Sequence, residues 1–295
     1  MSLVLPGFGQ LYNGQLNRAI WLFLLYCMLT VPGIAFVALY VPSGAMMAAL
    51  TAGALATVAL WIFGMVDAWR SAARQTDYVP RAWQTSGLYV AVFLVCGLLL
   101  QPALGGYVRK HEVESFRDPS SSMEPTLLPG DYFFADKRYN CPNCKQAVRR
   151  GDIVVFTYPN YRNNYYVKRV IGLPGERIQI TGEDVLINGR SLALSATRAP
   201  SGSYVTEGSG HQQWRVWWSG SRGPRTGSAA AARAGIDIVV PQGEVFVLGD
   251  HRDFSYDSRD FGPVPLEDLV GKARQVWLSR GERGIRWSRL GEVVE

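Results

Sequence analysis

The stretch YYVKRVI, residues 165–171, is typical of a buried β-strand, because it is rich in β-branched and aromatic side chains. Successive side chains of a strand point to opposite faces, so Lys168 and Arg169 fall on different faces. Each face is otherwise apolar, and a buried cation is costly unless it is paired or loses its charge. The arginine therefore needs a carboxylate, whereas the lysine can exist as a neutral amine.

Segments of similar composition lie on both sides of this strand, separated by Gly, Pro and Asn. They predict a mainly antiparallel β domain over residues 109–295, built from packed sheets or a barrel. An Asn-Gly pair at 188–189 predicts a two-residue hairpin turn. Residues 195–235 are interpreted as a loop-rich insertion, because Ser, Gly, Ala and Arg dominate there. The other predicted strands are 151–158, 177–180, 184–194, 236–240, 244–248 and 270–278.

The first third of the chain differs in composition from the rest. Residues 1–105 contain no Lys and no Glu, although 18 % of the whole chain is charged. Three apolar runs there come close to or exceed the roughly 20 residues that a helix needs to cross a bilayer. We expect a membrane anchor over residues 1–108 with α-helical transmembrane segments at 19–41, 44–66 and 87–104.

The loop between the second and third runs, residues 67–86, contains three Arg. Cytoplasmic loops are enriched in Lys and Arg, so this loop and the N-terminus are predicted to be cytoplasmic. An odd number of spans then places the β domain on the extracytoplasmic, periplasmic side of a multi-pass inner-membrane protein. A cleaved signal peptide fits less well, because its apolar core would be about 7–15 residues long. Trp214, Trp217 and Trp218 are expected either to cap a sheet edge or to lie in the lipid interface.

Three consecutive serines at 120–122 precede a Met-Glu-Pro-Thr-Leu stretch. A serine hydroxyl becomes a strong nucleophile when a base lies within hydrogen-bonding distance. The neutral amine expected at Lys168 is one candidate base. His251, beside Asp250 and Asp253, is the other candidate, although successive side chains of a strand-to-loop turn point apart.

Four sequence boxes follow one another along the chain: PSSSMEPTL (119–127), GDIVVF (151–156), YVKRVIGLPGE (166–176), and GDHRDFSYDSR (249–259) with GPVP (262–265). In this order they resemble the boxes of the type I signal peptidases, the Ser/Lys leader peptidases of bacteria, over roughly residues 115–291. The resemblance implies a membrane-bound serine endopeptidase that cleaves signal peptides from exported preproteins, with small residues one and three positions before the cut. A non-catalytic membrane protein whose β domain binds or scaffolds exported chains is the alternative.

The resemblance also implies roles for individual residues. Ser122 is the expected nucleophile and Lys168 the expected general base. The oxyanion hole is expected to combine the backbone N–H of Ser122 with the hydroxyl of Ser120. The chain departs from the common pattern at His251, Phe254 and Phe261. The supporting residues implied are Ser255, which hydrogen-bonds the lysine, and the ion pairs Arg169–Asp250 and Asp257–Arg259.

No cofactor and no metal are expected. Cys141 and Cys144 form a CxxC pattern in a polar loop, and a four-ligand zinc site would need a second pair in the same domain. A local disulfide is the favoured interpretation in an oxidising compartment, and a metal shared across a dimer is the alternative. The expected partners are preproteins with signal peptides and the lipid bilayer, and no nucleic acid.

Overall fold

The computed structural model describes residues 3–75, 78–140, 147–219 and 235–294. The chain divides into two compact units, Met1–Val113 and Glu114–Glu295. The first unit is helical and the second consists mainly of β-strands. The predicted class of fold, apolar helices followed by a mainly β domain, is confirmed.

Three helices in the described part of the chain are long and apolar enough to cross a membrane. Each extends past its predicted apolar run into polar residues, as at Arg70 and Arg109. Pro102 does not end the third of these helices, Ser86–His111. It lies in the first turn of the segment α5 (Gln101–His111), where a missing N–H is tolerated. The helices are α1 (Phe8–Tyr12), α2 (Leu16–Tyr40), α3 (Ser43–Ala73), α4 (Ser86–Val92), a π-helical segment (Phe93–Leu100) and α5 (Gln101–His111).

The chain after α5 forms three sheets, and the pairings determined within them are antiparallel. A short helix, α6 (Ser258–Phe261), follows β12. The strands are β1 (Val113–Asp118), β2 (Asp131–Asp136), β3 (Ile153–Thr157), β4 (Tyr165–Gly172), β5 (Arg177–Thr181), β6 (Asp184–Ile187), β7 (Arg190–Ser191), β8 (Ala193–Ala199), β9 (Gly202–Ser209), β10 (Gln212–Trp218), β11 (Ile236–Val239), β12 (Glu244–Leu248), β13 (Val264–Pro265), β14 (Leu269–Gly281) and β15 (Gly284–Ile285).

The largest of the three sheets contains β4, the strand of Lys168 and Arg169. Its order is β1-β2-β14-β3-β4-β12-β13, with β15 paired to β14. β4 therefore lies between two other strands, and Lys168 stands opposite Val154 of β3. The two smaller sheets have the orders β10-β9-β8 and β11-β5-β6-β7. The predicted hairpin is confirmed: Asn188 and Gly189 have φ values of 50° and 80° and connect β6 to β7.

All three sheets contribute to one core cluster. Each supplies β-branched or aromatic side chains from the face that points away from water, as strand alternation requires. Because one cluster joins the three sheets, β4 and β12 of the large sheet are packed against the two smaller sheets. Its buried members are Ile171, Phe246 and Leu248 from the large sheet, Ile178, Ile180, Val185 and Ile187 from the second, Val205, Trp214, Val216 and Trp218 from the third, and Leu192 and Val240 beside them.

The interpretation of residues 195–235 as a loop-rich insertion is wrong for its described part. β8, β9 and β10 occupy most of residues 193–218, and residues 220–234 lie outside the described part. The composition, rich in Ser, Gly, Ala and Arg, is misleading, because β8 is exposed along almost its whole length and needs few apolar side chains. Trp214 and Trp218 are buried in the protein core, which excludes the lipid interface for these two.

Replacing Ile178 by alanine tests the shared core. Ile178 is fully buried, so the substitution should lower the free energy of unfolding by about 2–5 kcal/mol. Val239→Ala, on the neighbouring strand and 58 % exposed, is the matched control and should change it little. Unfolding of the full-length protein in detergent, followed by circular dichroism, measures both, and equal losses would contradict a shared core at Ile178.

Candidate active site

The serine turn, residues 120–127, follows β1 and is held in place by two buried apolar side chains. Met123 and Leu127 are fully buried in a core cluster of the large sheet. The N–H groups of Thr126 and Leu127 donate to the carbonyl of Met123 at 2.9 and 3.0 Å. Ser122 lies immediately before this anchor, so its position is set by packing in the core.

Ser122 and Lys168 are in direct contact, although they are far apart in sequence. Lys168 Nζ lies 2.8 Å from Ser122 Oγ and 3.0 Å from the carbonyl oxygen of Val167. The lysine side chain is buried, with 4 % of the residue exposed. Burial lowers the pKa of Lys168, and the nearby carboxylates, chiefly Asp257 and Asp118, oppose that shift. The result favours a neutral amine beside a hydroxyl.

Two hydrogen-bond donors lie near the Ser122 hydroxyl. The hydroxyl of Ser120 is 3.0 Å from Ser122 Oγ. Within the described ranges, the backbone N–H of Ser122 has no hydrogen-bond acceptor. The Ser120 hydroxyl itself donates to Asp118, so it must rotate before it can donate elsewhere.

Arg169 and Asp250 form a two-bond ion pair, as the resemblance implies. The Nε and Nη2 atoms of Arg169 donate to the two carboxylate oxygens of Asp250 at 2.8 and 2.7 Å. Both side chains are almost fully buried. The hydroxyl of Thr126 also donates to Asp250, which joins the serine turn to β4. No signal in the residues alone singled out Thr126.

Asp257 and Arg259 form the second ion pair. Arg259 donates from Nε and Nη2 to the two Asp257 oxygens, both at 2.7 Å. Asp257 also caps α6 and accepts the backbone N–H of Gly249 at 3.0 Å. Burial would raise the pKa of Asp257, but the Arg259 guanidinium and these hydrogen bonds hold it below its usual value.

Ser255 lies at the site, but its predicted hydrogen bond to the lysine is not formed in this structure. Its hydroxyl oxygen is buried and forms no hydrogen bond of ordinary geometry in the part of the chain described, although it lies close enough to Asp257 to help lower the pKa of that carboxyl. Lys168 donates instead toward Ser122 and the carbonyl of Val167. Ser255 packs against Gly249, where an added Cβ would lie 2.1 Å from Ser255 Oγ.

The structure does not assemble the alternative triad on His251. His251 Nδ1 faces the backbone oxygen of Ser121 at 3.2 Å, and the backbone N–H of His251 donates to the Ser122 carbonyl at 3.1 Å. Asp253 accepts from the N–H and hydroxyl of Ser219 at 2.8 and 3.2 Å, and not from the imidazole. His251 therefore supports the backbone of the serine turn and does not approach the Ser122 hydroxyl.

A buried ion pair that the sequence analysis missed joins β9 to the last box. Both carboxylate oxygens of Glu207 accept hydrogen bonds from Arg252, and both residues are almost completely buried. The indole N–H of Trp214 also donates to Glu207 at 2.9 Å. Glu207 was overlooked because its region was interpreted as a loop. Cys141 and Cys144 lie outside the described residues.

A cavity of about 660 Å³ opens beside the Ser122–Lys168 pair. Its walls are mostly apolar and aromatic, with a few polar groups near the serine. Such a surface suits an extended, largely apolar segment that is oriented by few hydrogen bonds. Its apolar lining includes Phe116, Phe133, Val155, Tyr166 and Val167.

A serine hydroxyl in contact with a buried amine, with a backbone N–H beside it that has no acceptor in the described ranges, is the arrangement of a serine hydrolase in which lysine takes the place of histidine. Residues 87–278 match the family described as signal peptidase, peptidase S26. This match covers well over half of the chain, and the protein therefore belongs to the signal peptidase family, peptidase S26.

The two Rickettsia relatives that follow agree with this assignment. A signal peptidase I of Rickettsia felis is 34 % identical over 215 residues, which are 63 % of this chain and 77 % of that protein. A signal peptidase I of Rickettsia bellii is 31 % identical over 225 residues, 67 % of this chain and 72 % of its own. A signal peptidase I structure from Enterococcus faecalis is 27 % identical, covers 43 % of this chain and 97 % of its own, and has a TM-score of 0.28.

Replacing Asp250 by asparagine should leave Arg169 as a buried charge without a counter-ion. Breaking a buried pair in this way typically costs about 3–5 kcal/mol of unfolding free energy. The control is Asp237→Asn in the surface pair Arg177–Asp237, whose side chains are 56 % and 47 % exposed. In thermal unfolding of the full-length proteins in detergent, Asp250→Asn should have a clearly lower melting temperature than Asp237→Asn. A similar melting temperature for the two variants would contradict this account.

Proposed function

We propose that Ser122 is the nucleophile and Lys168 the general base with which this serine endopeptidase cleaves signal peptides from preproteins. The signal peptidase family, to which the chain belongs, supplies the reaction. The observation that carries the residue assignment is the distance of 2.8 Å between Lys168 Nζ and Ser122 Oγ. A non-catalytic scaffold is not favoured, because both reactive groups are present and in contact.

The proposed reaction has two halves. The neutral amine of Lys168 takes the proton of the Ser122 hydroxyl as Oγ attacks the scissile carbonyl carbon. The tetrahedral intermediate collapses, its C–N bond breaks, and the Lys168 ammonium gives its proton to the leaving amine. The signal peptide then remains as an ester on Ser122. Water, which loses a proton to Lys168, attacks this ester, and Ser122 Oγ recovers the proton as the leaving group.

We propose that the backbone N–H of Ser122 and the hydroxyl of Ser120 stabilise the oxyanion. The lack of an acceptor for this N–H among the described residues, and the 3.0 Å between the two hydroxyl oxygens, support the assignment. One such donor typically contributes about 2.7–4 kcal/mol to the transition state. The Ser120 hydroxyl would leave Asp118 and rotate toward the oxyanion when substrate binds.

We propose supporting roles for the remaining predicted residues. The Arg169–Asp250 pair fixes β4 against the serine turn, and Asp257–Arg259 fixes the loop that bears Ser255. The Ser255 hydroxyl, buried and unbonded in this structure, would accept a hydrogen bond from the Lys168 ammonium once the amine has taken the serine proton. That bond would hold the ammonium in place, in each half-reaction, until it gives its proton to the leaving group.

The chain is membrane-anchored, and we propose that it crosses the membrane three times. Residues 1–108 would be the anchor and residues 109–295 the extracytoplasmic catalytic domain. The length and apolar character of the three helices support the spans. Two arginines between α3 and α4, Arg74 and Arg81, support a cytoplasmic position for that connection.

Substitution of the two reactive residues tests the mechanism. Ser122→Ala and Lys168→Met should each lower the rate of preprotein cleavage by at least about 10³-fold, because the two groups act as a unit. Ser121→Ala, in the same turn, is the matched control and should keep most of the activity. Purified full-length variants are compared on one preprotein in detergent. An active Ser122→Ala would rule out the mechanism, and an inactive His251→Ala beside an active Lys168→Met would favour histidine as the base.

Labelling of single cysteines tests the membrane topology. In a variant without its natural cysteines, Asn160→Cys should react with a membrane-impermeant thiol reagent on intact cells. Thr85→Cys should react only after the inner membrane is opened, because its segment is expected to be cytoplasmic. Both positions are exposed in the structure. The reverse labelling pattern would overturn the proposed orientation.

A further inference from the structure

Asp118, the last residue of β1, is a buried carboxylate that the proposed reaction does not use. It is 1 % exposed, and it contributes to the wall of the cavity beside Ser122. One oxygen, Oδ1, accepts the backbone N–H and the hydroxyl of Ser120 at 2.9 and 3.0 Å. The other, Oδ2, is buried and has no hydrogen-bond partner among the described residues. An unpartnered buried oxygen is costly, so its presence calls for an explanation.

Three carboxylates act on the Lys168 amine, and they differ in their own partners. Asp257 is bound on both oxygens by Arg259, and Asp250 by Arg169. Their charges are therefore largely compensated at short range. Asp118 forms no ion pair within hydrogen-bonding distance in the described part of the chain, so its charge is left to act on the lysine.

Other groups lie around Lys168 and Asp118. Arg259 also acts on Lys168 and opposes protonation of the amine, and the ring of Tyr166 lies 5.7 Å from Nζ. Asp118 is faced by Lys168 and by the carboxylate of Asp131 on β2. Burial raises the pKa of Asp118, while Ser120 and Lys168 oppose that shift.

We propose that Asp118 is a positioning residue that acts through Lys168. The backbone N–H of Ser120 holds the carboxylate in place, and its negative charge stabilises the ammonium that forms when Lys168 takes the Ser122 proton. This inference rests on the proposed role of Lys168 as the base. It adds a carboxylate on β1 to the two arginine-bound carboxylates that act on the lysine.

The sign of the effect follows from electrostatics. A negative charge near an amine favours its protonated form and raises its pKa. Removal of the Asp118 charge should therefore let Lys168 remain neutral at lower pH. The acidic limb of the pH dependence of kcat/KM, which reports protonation of the base in the free enzyme, should move to lower pH. The plateau should fall at the same time, because the ammonium intermediate loses its counter-ion.

Asp118→Asn tests the proposal, because asparagine has a similar shape and can still accept from Ser120 through its carbonyl oxygen. We expect the acidic limb to move down by about one pH unit and the plateau to fall about tenfold. Asp118→Glu, which restores the charge, should return the limb toward that of the natural protein. Asp253→Asn removes another carboxylate of the cavity wall, one bound to Ser219, and should leave the limb in place.

The profiles are measured on the full-length protein in detergent with one signal-peptide substrate, and the melting temperature of each variant is recorded. A lower plateau with an unmoved limb in Asp118→Asn would show a structural role only and overturn the proposal. A limb that moves to higher pH, or one that also moves in Asp253→Asn, would overturn it as well. Failure of Lys168 as the base is a separate result, because it would appear as activity in Lys168→Met.

Discussion

The enclosure of one amine within a β-sheet is the constraint on which the rest of the structure depends. Lys168 lies on an interior strand of the large sheet, and burial in this position is what lowers its pKa. The enclosure also requires that nearby charges be held at fixed positions, because the apolar surroundings screen them weakly. The two arginine–carboxylate pairs meet this requirement. Arg169–Asp250 also joins β4 to the last box and, through Thr126, to the serine turn, whereas Asp257–Arg259 holds the last box in its own conformation.

Much of this arrangement could be predicted from a few residues. The alternation of β4 places two adjacent cations on different faces, and their partners, a hydroxyl for Lys168 and a carboxylate for Arg169, follow from the chemistry of each cation. The Asn188-Gly189 turn was predictable because positive φ angles restrict the residues that fit there. In these cases a local rule and the tertiary structure favour the same conformation.

The features that could not be predicted depend on contacts between distant segments. β8 is exposed and poor in apolar side chains, so its strand character comes from pairing with β9 and is not encoded in its own pattern. The unformed bond between Ser255 and Lys168 was expected from the resemblance, but the bonding of an amine depends on its protonation and on which acceptors it meets. Asp118 carries no signal in sequence, because nothing local shows that a carboxylate at the end of β1 reaches the lysine.

The Glu207–Arg252 pair limits how this domain can change in evolution. Arg252 belongs to the loop that bears Ser255 and Asp257, whereas Glu207 belongs to the sheet of β8, β9 and β10. A shortened chain that lost this sheet would leave the arginine without its carboxylate inside the protein. A graft that replaced this sheet with a shorter connection would therefore have to replace residue 252 as well.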